Sequence, residues 1–161
     1  MNITEKIYSV IKEAFPTLKL LQNDFFIIGS SALILTGIEI EDTLDIDILT
    51  SSKDADFLKQ SWKDRCIKEY NTQDNDLFRS NFSRYNFNLL DVEILGELEV
   101  QRNNNWEQLI IQDYTVISKD EIEIKLPTIK ELERILKLFG RDKDILKLGL
   151  IEKHKANLYR Y

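Results

Sequence analysis

The spacing of hydrophobic residues predicts a helix and then a buried strand at the start of the chain. Asn2 and Glu5 have the spacing of a helix cap, and the apolar residues after them recur at helical intervals up to Pro16. Residues 25–28 form a short continuous apolar run that ends at Gly29, which is typical of a buried strand.

A short helix, a strand and a longer helix are predicted next. Residues 30–36 are almost wholly apolar and precede Gly37, which suits a buried helix with a glycine C-cap. Residues 44–49 alternate Asp with apolar residues, as in a strand. A further, longer helix is predicted after a cap at Ser52 or Asp54. Its apolar positions are Ala55, Leu58, Trp62 and Cys66.

The pattern in the middle of the chain predicts two hairpins after a polar loop over residues 71–76. The strands are expected over residues 77–82, 87–95, 114–117 and 122–126. We expect the first hairpin to turn near residues 84–86. Residues 96–108 contain a predicted turn at the three asparagines 103–105, followed by either a helix or a return to the sheet.

Two helices are predicted at the C-terminal end. Thr128 and Glu131 have capping-box spacing, and Gly140 is placed to end the first helix. Its apolar stripe consists of Ile129, Leu132, Ile135, Leu136 and Phe139, and the stripe of the second helix consists of Ile145, Leu148 and Ile151. The sequence therefore predicts one α/β domain over residues 1–161, with a sheet-containing core over about 1–126 and helices over about 127–161.

Composition narrows the class of protein. A chain of 161 residues with 43% apolar residues can bury one core, and its net charge of −6 argues against a general nucleic-acid coat. The apolar stretch 25–38 is shorter than the roughly 20 residues that a membrane span needs, and no signal-peptide pattern is recognisable. Cys66 is the single cysteine, so the expected location is the reducing cytoplasm.

The charge is unevenly distributed along the chain. Residues 125–161 contain ten basic and five acidic residues, a balance of +5, so the first 124 residues carry −11. This split suggests that the C-terminal part supplies cations to a site whose anions come from the N-terminal part. The alternative is that Lys and Arg only solvate amphipathic helices.

Alternation along the strand at residues 44–49 puts Asp45 and Asp47 on one face, roughly 6.6 Å apart, while Leu44, Ile46 and Ile48 face the core. Two carboxylates on one strand face repel each other, and a divalent cation would offset the repulsion. A solvated acidic face explains the same pattern without a metal.

Two further features bear on this site. Gly29 and Ser30 stand where a buried strand runs into a helix, so free N–H groups there suit a phosphate, although Gly29 could only turn the chain and Ser30 only cap the helix. Asp91 and Glu93 share one face of another alternating strand, and Asp91 would join Asp45 and Asp47 if the two strands are neighbours. A half-exposed strand with one polar face is the alternative.

Together these residues resemble a known family. Residues 26–37 (FIIGSSALILTG) and 43–49 (TLDIDIL) are similar to the signature of the DNA polymerase β-like nucleotidyltransferases, most closely the small bacterial proteins related to AbiEii-type toxins. Residues 137–144 (KLFGRDKD) resemble the lysine and (Arg)-x-Lys-Asp pattern that follows the sheet in those proteins. The resemblance spans roughly residues 25–150.

This resemblance implies a nucleotidyltransferase fold, with a small mixed sheet flanked by helices and a helical C-terminal part. It implies that a nucleoside monophosphate moves from a nucleoside triphosphate to an acceptor hydroxyl on RNA, protein or a small molecule. Two Mg²⁺ (or Mn²⁺) ions would be held by Asp45, Asp47 and Asp91. Phosphate charge would be met by Gly29, Ser30, Lys137, Arg141 and Lys143. The setting would be a toxin–antitoxin or phage-defence system, with a cognate antitoxin or operon partner.

Two positions depart from the family pattern. Many relatives have an Arg where this chain has Glu41, and many have an acidic residue where Lys147 stands. Glu41 would not help to hold a triphosphate. The alternative hypothesis is therefore a catalytically weak or inactive module of the same fold that binds a nucleotide or a protein partner.

Overall fold

The computed structural model describes residues 1–68 and 76–159, so most of the predicted loop at 71–76 lies outside the described residues. The helices are α1 (Ile3–Leu18), α2 (Gly29–Leu35), α3 (Ser52–Ser61), α4 (Ile129–Phe139) and α5 (Asp142–Leu158). The strands are β1 (Phe26–Ile28), β2 (Asp45–Thr50), β3 (Phe78–Asn86), β4 (Asp91–Arg102), β5 (Asn105–Gln108), β6 (Tyr114–Lys119) and β7 (Ile122–Pro127). The predicted α/β class with a small mixed sheet is confirmed.

Strand β4 organises the main sheet. The strand order is β1-β2-β4-β3, and β5 pairs with the second half of β4. Strands β1 and β2 are antiparallel, as are β3 and β4, whereas β2 and β4 are parallel. The parallel register puts Asp45 opposite Asp91 and Asp47 opposite Glu93. Four acidic residues therefore meet where two neighbouring strands begin.

The ends of the first two helices agree with the sequence pattern. Asn2 and Glu5 form a reciprocal capping box at the start of α1, and Pro16 lies inside the last turns of that helix. Helix α2 ends with Gly37 at a φ of 96°, and the N–H of Ile38 donates to the carbonyl of Leu33. This is the Schellman arrangement that the glycine predicted.

Two boundaries differ from the prediction. The cap of α3 is Ser51, whose hydroxyl accepts from the N–H of Asp54, so neither Ser52 nor Asp54 is the cap. The helix ends at Ser61, and Cys66 instead forms an isolated bridge with Tyr85 after the short 3₁₀ helix Lys63–Arg65. Cys66 is partly buried against the core from this bridge and not from a helix, so its apolar character alone suited the helical pattern.

The first hairpin turns later than predicted. Strand β3 continues through residues 84–86, and the reversal falls at residues 87–90, where Asn88 has a φ of 68°. Arg84 is therefore a strand residue, and its charge is balanced by carboxylates on β4, the adjacent strand, and on β2, the strand beyond it. Leu44, expected in the core, lies just before β2 and is 78% exposed.

The segment 96–108, for which the sequence left a helix or a strand open, returns to the sheet. Asn103 and Asn104 both have positive φ, 50° and 64°, and reverse β4 into β5. The predicted second hairpin is confirmed as β6–β7, which turns at Asp120 and Glu121 and packs against β1. Asparagine and aspartate tolerate positive φ, which is the backbone that two-residue hairpin turns require.

The C-terminal helices cover one face of the main sheet. Thr128 caps α4, and Gly140 ends it in the left-handed conformation with a φ of 65°. Leu132 and Leu136 of α4 and Ile151 of α5 are buried in the same core as the strands. Within residues 1–68 and 76–159, no helix has both the length and the hydrophobicity to cross a membrane. The gap that remains between these helices and the sheet forms the cleft described next.

Candidate active site

A cleft of about 770 Å³ lies between the sheet and the C-terminal helices. Its sheet side is acidic and its helix side is basic, as the uneven charge of the chain suggested. Its lining includes the backbone of Gly29 and the polar side chains of Ser30, Asp45, Asp47, Glu93, Arg141, Lys143, Asp144 and Lys147. Its apolar wall includes Phe78, Phe82, Leu95, Ile135 and Phe139.

The acidic side is built by the parallel pairing of β2 and β4. Carboxylate oxygens of Asp45, Asp47 and Glu93 all lie within 4.8 Å of one another. The structure thus brings the two predicted aspartates together and places Glu93 beside them. Asp91 lies opposite Asp45 on the neighbouring strand, but it is outside this group of three and contacts Arg84 instead.

Arg84 is a site residue that the sequence analysis missed. Its side chain is 10% exposed, and its guanidinium reaches from β3 to Asp45 (Nη1 to Oδ2, 3.2 Å), to Asp91 (Nη2 to Oδ2, 2.9 Å) and to Glu93. The sequence analysis placed residues 84–86 in a turn and therefore did not treat Arg84 as a strand residue. Extending the strand alternation by two residues would have placed Arg84 opposite Glu93.

Asp47 is a partly buried carboxylate, and its Oδ1 is fully buried. Burial raises its pKa well above the ordinary value, and the negative charges of Glu93 and Asp45 raise it further. Its Oδ1 is buried and has no hydrogen-bond partner among the residues that the structure describes. A buried, unpartnered carboxylate oxygen beside two other carboxylates is the donor set that Mg²⁺ or Mn²⁺ prefers. These residues therefore fit a divalent cation.

Gly29 is the first residue of α2 and lies directly against the carboxylate of Asp47. It has a φ of 71°, and a Cβ at this position would lie 2.6 Å from Oδ2 of Asp47. The cap position of α2 is Ile28, which has no side chain that can cap, so Ser30 lies inside the helix rather than at its cap. Ser31 donates its hydroxyl to the carbonyl of Asp45 at 2.9 Å and ties α2 to β2.

The predicted cations differ in position. Arg141 pairs with the buried Asp144 (Nε to Oδ2, 2.7 Å) and lies over the ring of Phe78 at the cleft. Lys143 is exposed and lines the cleft. Lys137 is exposed on α4 and is not among the described residues that line the cleft.

The two positions that depart from the family pattern also differ. Lys147 lines the cleft, where burial lowers its pKa while the charges of Asp144 and Asp47 raise it. Glu41 is exposed in the segment before β2 and lies outside the described lining of the cleft. Lys147 is thus part of the described cleft lining, whereas Glu41 is not.

The sequence matches no protein-family model and no curated protein. Solved structures do resemble the fold. A Thermotoga maritima protein assigned as a nucleotidyltransferase superposes with a TM-score of 0.72 at 19% identity, over 96% of this chain and 91% of that one. The lincosamide antibiotic adenylyltransferase LnuA, solved with lincomycin, gives 0.59 at 15% identity, over 94% and 98%.

An antigenic nucleotidyltransferase-like protein of Paracoccidioides brasiliensis also gives a TM-score of 0.59, at 16% identity, over 94% of this chain and 78% of that one. At these identities the similarity establishes the fold. The predicted nucleotidyltransferase fold is confirmed, while the AbiEii-type relationship stays a prediction from the sequence.

Proposed function

We propose that the protein is a cation-dependent nucleotidyltransferase, which moves a nucleoside monophosphate from a nucleoside triphosphate to an acceptor hydroxyl. The observation that carries the proposal is the group of Asp45, Asp47 and Glu93, which faces Lys143 and Lys147 across one cleft. Nucleotidyl transfer needs carboxylates to hold a cation and positive charge to hold phosphates, and the cleft offers both. The nucleotidyltransferase-fold structures support this activity in general.

We assign separate roles in binding the cation and the phosphates to the residues of the cleft. Asp45, Asp47 and Glu93 would hold Mg²⁺ or Mn²⁺. When bound, such a cation neutralises phosphate charge and favours deprotonation of the acceptor hydroxyl. Gly29 and Ser30 would offer N–H groups to the phosphates beside Asp47, and Lys143 and Lys147 would balance charge on the departing pyrophosphate.

A small-molecule hydroxyl is the acceptor that the cleft favours. Its volume of about 770 Å³ falls within the roughly 300–1,000 Å³ that small-molecule pockets occupy. Aromatic side chains line one wall, and the net charge of −6 does not favour RNA. The fold is shared with an antibiotic adenylyltransferase. The toxin–antitoxin setting, the antitoxin partner and the cytoplasmic location stay predictions from the sequence.

The inactive, nucleotide-binding or partner-binding module is retained as a second candidate. Glu41 in place of an arginine favours it, and so does the way Arg84 fills part of the acidic group. Release of pyrophosphate from each of the four ribonucleoside triphosphates, with Mg²⁺ and a panel of hydroxyl compounds, separates the two candidates. An active enzyme releases pyrophosphate with at least one acceptor, and a binding module does not.

Ligand binding is expected to stabilise the folded protein strongly. A ligand at a hundred times its Kd adds about 2.7 kcal/mol, which for a chain of this size raises Tm by roughly 5–11 °C. We expect this shift with Mg²⁺ and one of the triphosphates in wild type, and none in Asp47→Asn. Differential scanning fluorimetry measures it. A wild-type melting curve unmoved by all four triphosphates would contradict both the enzyme and its nucleotide-binding alternative.

Removal of a cleft lysine is expected to weaken triphosphate binding. Lys143→Ala should raise the Kd for the Mg²⁺–triphosphate complex roughly two- to fivefold, because an exposed ion pair contributes up to about 1 kcal/mol. Lys137→Ala is the matched control, since it removes the same charge from an exposed site outside the described cleft lining. Isothermal titration calorimetry compares the two. Equal losses in both variants would assign the effect to net charge alone.

A further inference from the structure

We propose that Arg84 is a positioning residue that reserves Asp91 for itself, so that the remaining carboxylates Asp45, Asp47 and Glu93 take one divalent cation per chain. The inference rests on the proposed function, because it concerns the same acidic group. It differs from the sequence prediction, in which Asp91 was a metal ligand and two ions were held.

The contacts of Arg84 divide the four carboxylates into two sets. Both Nε (3.0 Å) and Nη2 (2.9 Å) reach Oδ2 of Asp91, so this carboxylate is held by two nitrogens of one guanidinium. Asp45 and Glu93 contact only Nη1. A cation that binds Asp45 and Glu93 competes with a single nitrogen, Nη1, whereas a cation on Oδ2 of Asp91 would break two charge-assisted hydrogen bonds. Asp91 also lies outside the group whose carboxylate oxygens are all within 4.8 Å of one another.

Asp47 completes the set that is left for the cation. Its buried Oδ1 has no hydrogen-bond partner among the described residues. Arg84 therefore holds Asp91, while this oxygen of Asp47 stays without a partner among the described residues. That oxygen points to a ligand that Arg84 does not replace.

The formal charges agree with a bound cation. Asp45, Asp47, Asp91 and Glu93 carry four formal negative charges, and Arg84, which contacts three of them, brings one positive charge. A divalent ion offsets part of the negative charge that remains. Without Arg84 the group would be more negative, and Asp91 would be available as a ligand.

The test is a titration with Mn²⁺ alone, without nucleotide, followed by electron paramagnetic resonance of the free ion. Wild type should bind one Mn²⁺, and Asp91→Asn should weaken binding clearly less than Glu93→Gln does, because it removes a nearby negative charge but no ligand. Glu93→Gln should weaken binding by about tenfold or more, as expected for loss of a group that holds the ion. Two ions in wild type, or a loss in Asp91→Asn as large as that in Glu93→Gln, would overturn the role of Arg84.

The charge of Arg84 supplies a second measurement. Arg84→Met should lower the Tm of the metal-free protein yet raise the Mn²⁺ affinity about tenfold, since a competing positive charge is gone. Arg79→Met is the matched control, because Arg79 is on the same strand and lines the cleft but pairs with Glu99. An Mn²⁺ affinity that falls or stays equal in Arg84→Met would overturn the proposal.

Two further results keep the conclusion clear. If Arg84→Met does not fold, the comparison of Asp91→Asn with Glu93→Gln still decides the metal set. Wild type that binds no Mn²⁺ and shows no thermal shift with triphosphate would overturn the proposed function together with this inference. Two bound ions with an intact thermal shift would overturn the inference alone.

Discussion

Replacement of Asp47 by Asn is expected to lower the rate of nucleotidyl transfer by about a thousandfold or more, because a charged ligand of the cation is lost. A bound cation contributes several kcal/mol to phosphoryl chemistry, and each 1.36 kcal/mol is a factor of about ten in rate. Asn keeps the size of Asp, so the cleft should keep its shape. Pyrophosphate release under saturating triphosphate is the measurement.

The same substitution is expected to stabilise the protein in the absence of metal. Burial, Glu93 and Asp45 raise the pKa of Asp47, so the folded chain holds this proton to higher pH than the unfolded chain. The associated stability is present at low pH and is lost as pH rises through the folded pKa. The excess free energy of unfolding of Asp47→Asn over wild type should therefore increase as the pH rises above about 4, the ordinary pKa of an aspartate.

Opposite signs for activity and stability distinguish a metal ligand from a structural aspartate. Asp64→Asn is the control, because Asp64 is an exposed carboxylate in the 3₁₀ helix Lys63–Arg65. This control variant should have the same rate of nucleotidyl transfer and the same free energy of unfolding as wild type. If Asp47→Asn were active and less stable than wild type at neutral pH, the carboxylate would be a structural acceptor.

Gly29→Ala is expected to damage both the fold and the site. The φ of 71° is unfavourable for alanine, and the new Cβ would lie 2.6 Å from Oδ2 of Asp47. We expect a loss of about 1–2 kcal/mol in the free energy of unfolding from backbone strain, which lowers Tm by roughly 2–8 °C. Since Asp47 must move aside, the thermal shift with Mg²⁺ and triphosphate should disappear as well.

Gly149→Ala is the matched control for this substitution. Gly149 lies inside α5, and a Cβ there would meet nothing within 4 Å. Alanine in a helix interior is better than glycine by about 0.5–1 kcal/mol, so this variant should be more stable than wild type. Urea unfolding compares the two variants directly. A Gly29→Ala protein that melts and binds ligand like wild type would show that Asp47 does not need its observed position.

The sequence predicted the parts of the fold that depend on local patterns. The capping box at Asn2, the glycine that ends α2 and the alternation around Asp45 each reflect contacts within a few residues. Where a local signal was ambiguous the prediction failed. Residues 84–86 contain Arg, Tyr and Asn, which suit a turn as well as a strand, and only pairing with β4 decides between them.

The membership of the acidic group could not be predicted locally. Asp91 and Glu93 are equivalent in the alternation of β4, and both face the same side as Asp45 and Asp47. In the structure Glu93 joins Asp45 and Asp47, while Asp91 is held by two guanidinium nitrogens of Arg84 on the adjacent strand. The position of Lys147 in the cleft likewise depends on how α5 packs over the sheet, which no pattern within the helix specifies.

The register between β2, β3 and β4 also implies an order in which the carboxylates meet during folding. Arg84 is only seven residues from Asp91 and nine from Glu93, so the β3–β4 hairpin joins them by closing a short loop. Asp45 is 39 residues from Arg84 and arrives only when β2 docks in parallel. Short loops close faster than long ones, so we expect Arg84 to meet Asp91 and Glu93 before Asp45 and Asp47 approach. In that order the sheet would not have to bring four carboxylates together without a counter-charge.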